Sequence, residues 1–139
     1  MMGHRLKLEE VSCEIAAART RARVQLRNAG LEHVGLASSR PEEGTWQYVI
    51  AQATVNAVRM FVGFVGAELR LVLDAVSVVG DPDPVVLVSV TAGVEGQELS
   101  LLGSAMVGRD PQRAVAKAVL QALNRQIDRL TPQVSGASA

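Results

Sequence analysis

The chain has few aromatic residues, one cysteine and no excess of charge of either sign, and each shortage argues against a class of function. Aromatic residues make up 3% of the sequence and all lie between positions 46 and 64. That is little material for stacking nucleic-acid bases, which takes several rings spread along a groove. Acidic and basic residues balance at 14 each. No net field therefore draws the protein to nucleic acid or to an anionic membrane.

The single cysteine and the interrupted apolar runs bear on compartment. Cys13 alternates with Val11 and Ile15, the pattern of a buried, inert thiol, and it has no partner for an internal disulfide. Charged residues such as Arg59 and Asp74 break the long apolar runs. We therefore expect neither a signal peptide nor a membrane span, and we expect a cytoplasmic protein.

Residues that could support catalysis or bind a metal are sparse. His4 and His33 are far apart, and no cysteine or further histidine stands at metal-ligand spacing from either. No glycine-rich phosphate loop is present. Asp81 and Asp83 are explained by the tight turn of the DPDP segment. We expect no catalytic site, no metal and no cofactor.

An internal duplication is the strongest positive feature. Residues 51–58 (AQATVNAV) align with residues 116–123 (AKAVLQAL) at an offset of 65 positions, and three alanines coincide. The same offset places residues 10–12 on residues 75–77, at the start of each half. The sequence therefore predicts two repeats, 6–62 and 68–130.

Each repeat contains three strand patterns followed by a helix pattern. Strands are predicted near 6–15, 20–28 and 31–38, then near 68–79, 85–92 and 97–107. Helices are predicted from Trp46 to about Phe61, ended by Gly63 and Gly66, and from Asp110 to about 130. An irregularity is expected near Glu9 and Glu10, and a hairpin turn at Asn28-Ala29-Gly30.

These elements predict an α+β fold: two tandem βββα units forming a two-layer α/β sandwich, with antiparallel sheet and both helices on one face. We expect a single domain over 1–139, with a flexible tail at 131–139.

The two repeats differ in the faces of their second strands. In the first repeat one face of strand 19–27 carries an arginine stripe, which comprises Arg19, Arg21, Arg23 and Arg27. The stripe could bind phosphate or a nucleic-acid backbone. We favour a solvated face paired with nearby glutamates, because the net charge is zero.

The corresponding strand of the second repeat is apolar on both faces, with Val86, Val88 and Val90 opposite Val85 and Leu87. Such a strand must be covered on both sides. A second copy of the chain would supply the second cover, so the sequence predicts a homodimer.

One segment resembles a known family. In residues 103–125 (GSAMVGRDPQRAVAKAVLQALNR), Asp110 precedes alanines at 114, 118 and 122 and then Asn124-Arg125. This spacing resembles the end of the C-terminal regulatory domain of 2-isopropylmalate synthase and its citramalate synthase relatives. The resemblance implies a doubled βββα unit that dimerises and binds a pathway end product, here without the catalytic barrel.

The resemblance also implies where a small-molecule effector would bind. The candidate ligand residues are Ser38, Gly44, Thr45, Trp46, Gly103 and Asp110. The family carries a Gly-x-Gly-Pro-Val-Asp-Ala signature before its first helix, and this chain has SSRPEEGTW at 38–46 instead. We expect a non-catalytic domain that senses a small molecule or binds a partner protein. The alternatives are a hot-dog-type hydrolase or thioesterase, and nucleic-acid binding through the arginine stripe.

Overall fold

The computed structural model of the chain describes residues 5–130. The elements in chain order are β1 (Lys7–Ile15), β2 (Thr20–Asn28), β3 (Leu31–Ser39), α1 (Trp46–Val65), β4 (Arg70–Val79), β5 (Val85–Val94), β6 (Gln97–Met106) and α2 (Pro111–Asp128). The predicted tail at 131–139 and His4 lie outside the described residues.

The predicted pair of βββα units is confirmed. Strands β1–β2–β3 form one antiparallel sheet and β4–β5–β6 form another, and a helix follows each sheet. The two sheets are separate three-stranded sheets, so the six strands do not form one continuous sheet.

The duplication extends to irregular details of the backbone. The register shifts between Leu8 and Glu10 in β1, as predicted, and between Leu73 and Ala75 in β4. The extra residues, Glu9 and Asp74, stand 65 positions apart, so both units contain the same β-bulge.

The second hairpin of each unit turns in the same way. Ala29 and Gly30 have φ of 51° and 81°, and Glu95 and Gly96 have φ of 49° and 78°. Two successive positive φ angles match the twist of antiparallel strands, which is why two-residue hairpins favour them. The hairpin predicted at residues 28–30 is confirmed.

Helix α1 is one turn longer than predicted. Of the two glycines predicted to end it, Gly66 is the C-cap, whereas the helix continues through Gly63 and ends at Val65. Gly66 then adopts φ of 73°, and the Ala67 N–H donates to the Val62 carbonyl. Glycine ends a helix where a left-handed residue is needed, whereas at exposed Gly63 it only lowers helix propensity.

The helices connect the two units. Helix α1 packs on β2 and β3 of its own sheet and on β4 of the other sheet. Helix α2 packs on β5 and β6 of its own sheet and contacts β1 of the other, and the two helices contact each other. Accordingly, Val49, Ile50, Ala51, Ala53, Thr54, Val55, Ala57 and Val58 are all buried in α1. By length and composition alone α1 could cross a membrane, but more than half of that apolar stretch is buried in the protein.

Polar side chains of the helices bind the exposed strand edges. The Asn56 amide donates to the Leu36 carbonyl of β3 at 2.7 Å, and the Ser104 N–H of β6 donates to Gln121 Oε1 at 2.6 Å. Asn56 and Gln121 stand at equivalent positions of the repeat. Arg59 donates to the Leu71 carbonyl of β4. Covering a strand edge in this way blocks pairing with another chain.

A glycine in the third strand of each unit allows the closest contact between strand and helix. A Cβ atom at Gly35 would overlap the Ala53 carbonyl oxygen and the Ala57 backbone nitrogen. A Cβ atom at Gly103 would overlap the corresponding atoms of Ala118 and Ala122. Both glycines are therefore required by backbone-to-backbone packing.

We expect Gly35→Ala and Gly103→Ala each to lower the free energy of unfolding by about 3 kcal/mol, because the clash is with backbone that must move as a whole. Gly63→Ala is the matched control. A Cβ atom there meets nothing within 4 Å, so this change should stabilise the protein by about 0.5–1 kcal/mol through helix propensity. Urea denaturation measures all three variants, and equal stability of Gly103→Ala and Gly63→Ala would contradict the packing argument.

Candidate functional site

Four predicted ligand residues lie at the start of the first helix or just before it. Thr45 caps α1, its hydroxyl accepting from the Tyr48 N–H at 3.2 Å. Gly44 faces the Tyr48 ring, and Trp46 is half-buried against the core. Ser38, near the end of β3, accepts from Arg19 at 3.1 Å.

The other two predicted ligand residues lie in the second unit. Asp110 caps α2 and accepts from the Arg113 N–H at 3.0 Å. Thr45 and Asp110 are equivalent positions of the repeat, so both are helix caps of the same kind. Gly103 packs under α2. Each of these residues has a role in the local fold, and their binding of a ligand stays a prediction.

The arginine stripe lies on the outer face of the first sheet. Arg23 pairs with Glu10 at 3.0 Å, and Arg27 pairs with Glu9 at 3.2 Å and with Glu32 at 2.8 Å. Arg21 stands opposite Glu14 in the β1–β2 register. Exposed pairs of this kind stabilise a protein little, but they reduce the positive potential that a phosphate would meet.

Cys13 and His33 are the titratable groups whose pKa burial shifts. Partial burial in β1 raises the pKa of the Cys13 thiol above 9.0, which keeps it in the weakly nucleophilic protonated form at neutral pH. His33 is buried on β3 against the rings of Phe61 and Phe64, with centroids 5.4 and 5.7 Å away. Burial lowers the pKa of His33 below 6.5.

Within residues 5–130, no group of three or more histidine, cysteine, aspartate or glutamate side chains could hold a metal ion. His33 faces aromatic rings, an environment that favours the neutral imidazole.

A basic groove lies between β1 and α2, and the sequence did not reveal it. Its volume is about 710 Å³, and its lining includes five cationic side chains: Arg5, Lys7, Arg113, Lys117 and Arg125. Arg113 donates to the backbone carbonyls of Leu8 and Glu9 at 3.3 and 3.4 Å. Positions 113, 117 and 125 share one side of α2. That helical spacing is the one feature of the sequence that could have indicated the groove.

The outer face of the second sheet is apolar and uncovered in the single chain. Its large exposed residues are Val72, Val79, Leu87, Leu102 and Met106. In register they lie on the side of the sheet opposite the buried residues Val86, Val88 and Val90. The strand that the sequence marked as apolar on both faces thus has one face buried under α2 and one face exposed.

No protein-family model matches this chain, and a search of curated proteins finds no match. The resemblance to the synthase regulatory domain therefore stays a prediction.

Because burial lowers the pKa of His33 in the folded state, the unfolded chain takes up a proton at a higher pH than the folded chain does. The free energy of unfolding should then fall as pH drops below 6.5, until the pH passes the folded-state pKa. Urea denaturation at about pH 7.5 and at about pH 5.5 measures this change. Between the two pH values, the free energy of unfolding should fall further in the wild type than in His33→Leu. Identical losses in the two proteins would show that His33 contributes nothing to the pH dependence.

Proposed function

We propose that this chain is a non-catalytic assembly domain that acts as a homodimer, with the outer faces of two β4–β5–β6 sheets packed against each other. The observation that carries this proposal is the uncovered apolar face of the second sheet. Leu102 is 77% exposed and Met106 is 63% exposed. Contiguous apolar surface of this kind on a small protein marks an interaction site.

The chemistry of this face suits contact with a second copy. Five rows of outward residues cross the sheet: Val79–Val85–Met106, Ser77–Leu87–Ser104, Ala75–Ser89–Leu102, Val72–Thr91–Ser100 and Arg70–Gly93–Glu98. The first four rows carry no charged side chain, and Arg70 and Glu98 stand at one end of the face. A two-fold axis through the uncharged rows therefore brings no like charges together there.

A further carboxylate stands beside the uncharged rows and is already engaged. Asp74 is the bulge residue of β4, and its Oδ2 accepts from the Thr91 hydroxyl at 2.6 Å. This hydrogen bond compensates part of the cost of placing the charge near an interface.

The outer face of the first sheet shows the contrast. There the equivalent surface carries the arginine stripe and its glutamate partners, with Leu36 as an exposed apolar residue and Val34 half-buried beside it. Charged residues are depleted from the centre of protein interfaces. The two outer faces thus favour assembly through the second unit and solvent contact through the first.

The dimensions of the face favour a reversible dimer. Ten-residue strands about 33 Å long, three abreast at about 4.8 Å, give a footprint of roughly 475 Å². A standard stable interface buries about 800 Å² of accessible surface on each partner, and a corrugated sheet face exposes more area than its flat footprint. We expect a dimer that dissociates on dilution.

A sensing role is the second part of this proposal, and its support is the resemblance together with the shared architecture. An effector at the segment 38–46 or at the two helix starts would bind where each helix joins its sheet. The cytoplasm remains the expected compartment.

The alternatives have less support. A hot-dog-type hydrolase needs one sheet wrapped around one long helix, and this chain has two sheets with a helix each. Nucleic-acid binding through the arginine stripe competes with the ion pairs that Arg23 and Arg27 make.

We expect the wild-type chain to sediment at twice its mass of 14.7 kDa at high concentration, and the double variant Leu87→Glu/Leu102→Glu to sediment as a monomer. Four carboxylates would then face each other across the two-fold axis. Sedimentation velocity over a concentration series makes the measurement.

Leu36→Glu is the matched control, because Leu36 is 64% exposed on the outer face of the other sheet. It should dimerise like the wild type. Circular dichroism should show the same fold in all three proteins. A wild type that stays monomeric at the highest concentration, or a double variant that still dimerises, would overturn the proposal.

A further inference from the structure

We infer that the basic groove between β1 and α2 is a binding site for a small polyanion, a phosphorylated molecule that also carries hydroxyl groups. This inference does not depend on the dimer, because the groove is built from one chain. Nor does it use the candidate ligand residues at 38–46.

The groove brings together charges that are far apart in the sequence. Arg5 and Lys7 come from the start of the first unit, and Arg113, Lys117 and Arg125 come from α2 of the second. Asp128 is the one carboxylate in the lining. Such an excess of cations in one concave surface repels itself until an anion is bound.

In the described part of the chain, the cations of the groove have no ion-pair partner. Among residues 5–130, the ion pairs all lie on the outer face of the first sheet, and none involves a cation of the groove. The Arg113 guanidinium is held by two backbone carbonyls of β1, which orient it without cancelling its charge. An oriented guanidinium is suited to phosphate oxygens.

The internal repeat shows that the fold does not require these charges. At the offset of 65, Tyr48, Gln52 and Met60 stand where α2 has Arg113, Lys117 and Arg125. Val72 takes the place of Lys7, and of the five cations Arg5 alone has a basic counterpart, Arg70.

The first unit does carry one other cation in this region. Arg59 stands at the position of Asn124, but it donates to the Leu71 carbonyl of β4. The same architecture is therefore built without a cluster of free cations, and the cluster in the second unit calls for a role outside folding.

An unsatisfied polar atom indicates what else the ligand carries. Asn124 lines the groove, and its buried Oδ1 has no hydrogen-bond partner among the described residues. A buried acceptor without a donor costs about 1–3 kcal/mol. A ligand hydroxyl would donate to it, whereas a fully ionised phosphate oxygen only accepts.

The size and lining favour a small molecule over a nucleic-acid strand. A volume of about 710 Å³ is typical of small-ligand sites. The lining residues include no aromatic ring on which a base could stack.

Isothermal titration calorimetry of the full chain with fructose 1,6-bisphosphate and with inorganic tripolyphosphate tests the inference. We expect both to bind at low salt and more weakly as salt screens the charges. The double variant Lys117→Glu/Arg125→Glu changes two exposed residues of the groove. It should lower the affinity for each of the two probes by about tenfold or more. Asn124→Leu should weaken the sugar bisphosphate more than tripolyphosphate.

The control is Arg21→Glu/Arg40→Glu, which makes the same change in net charge outside the groove. It should bind both probes like the wild type, and thermal melting should show that each variant is folded. The inference is overturned if the wild type binds neither probe, if the control loses as much affinity as the groove variant, or if a DNA duplex binds the groove more tightly than either probe.

Discussion

The approach of the third strand of each unit to its helix is the contact on which the rest of the structure depends. At Gly35 and Gly103 the strand backbone lies against the backbone of alanines on the helix, with no room for a side chain. Because the helix lies so close, Asn56 and Gln121 on its polar side reach the backbone of the strand edge. Close packing therefore sets both the burial of the core and the closure of the sheet edges.

The close contact between strand and helix also limits which surfaces are open for binding. Each helix packs on strands of both sheets, so the inner faces and edges are largely occupied by the fold itself. What stays open are the two outer sheet faces and the grooves beside the helices. The units share a backbone plan, yet one outer face is charged and the other apolar, and the basic groove belongs to α2. The two repeats therefore differ mainly in the side chains that stand on their exposed surfaces.

Much of the fold followed from periodicity and turn chemistry, whereas the basic groove did not. Apolar alternation, the repeat and the turn at Ala29-Gly30 predicted the strands and even the bulge at Glu9. The end of α1 was misplaced because a glycine at an exposed helical position and a glycine cap are indistinguishable without the backbone angles. In sequence, Lys117 and Arg125 fit an ordinary solvated helix face, since nothing local indicates that β1 lies opposite them.

The sequence by itself determined the βββα order, its duplication and the two-sided apolar character of β5, because these are properties of neighbouring residues and of their spacing. Tertiary structure alone decided that Gly35 and Gly103 contact the backbone of a helix and that the six strands form two separate sheets. It also brought Arg5 and Lys7 to the same groove as Arg113, more than a hundred positions later. Those outcomes depend on how two packed units meet in space, and sequence distance carries no information about that geometry.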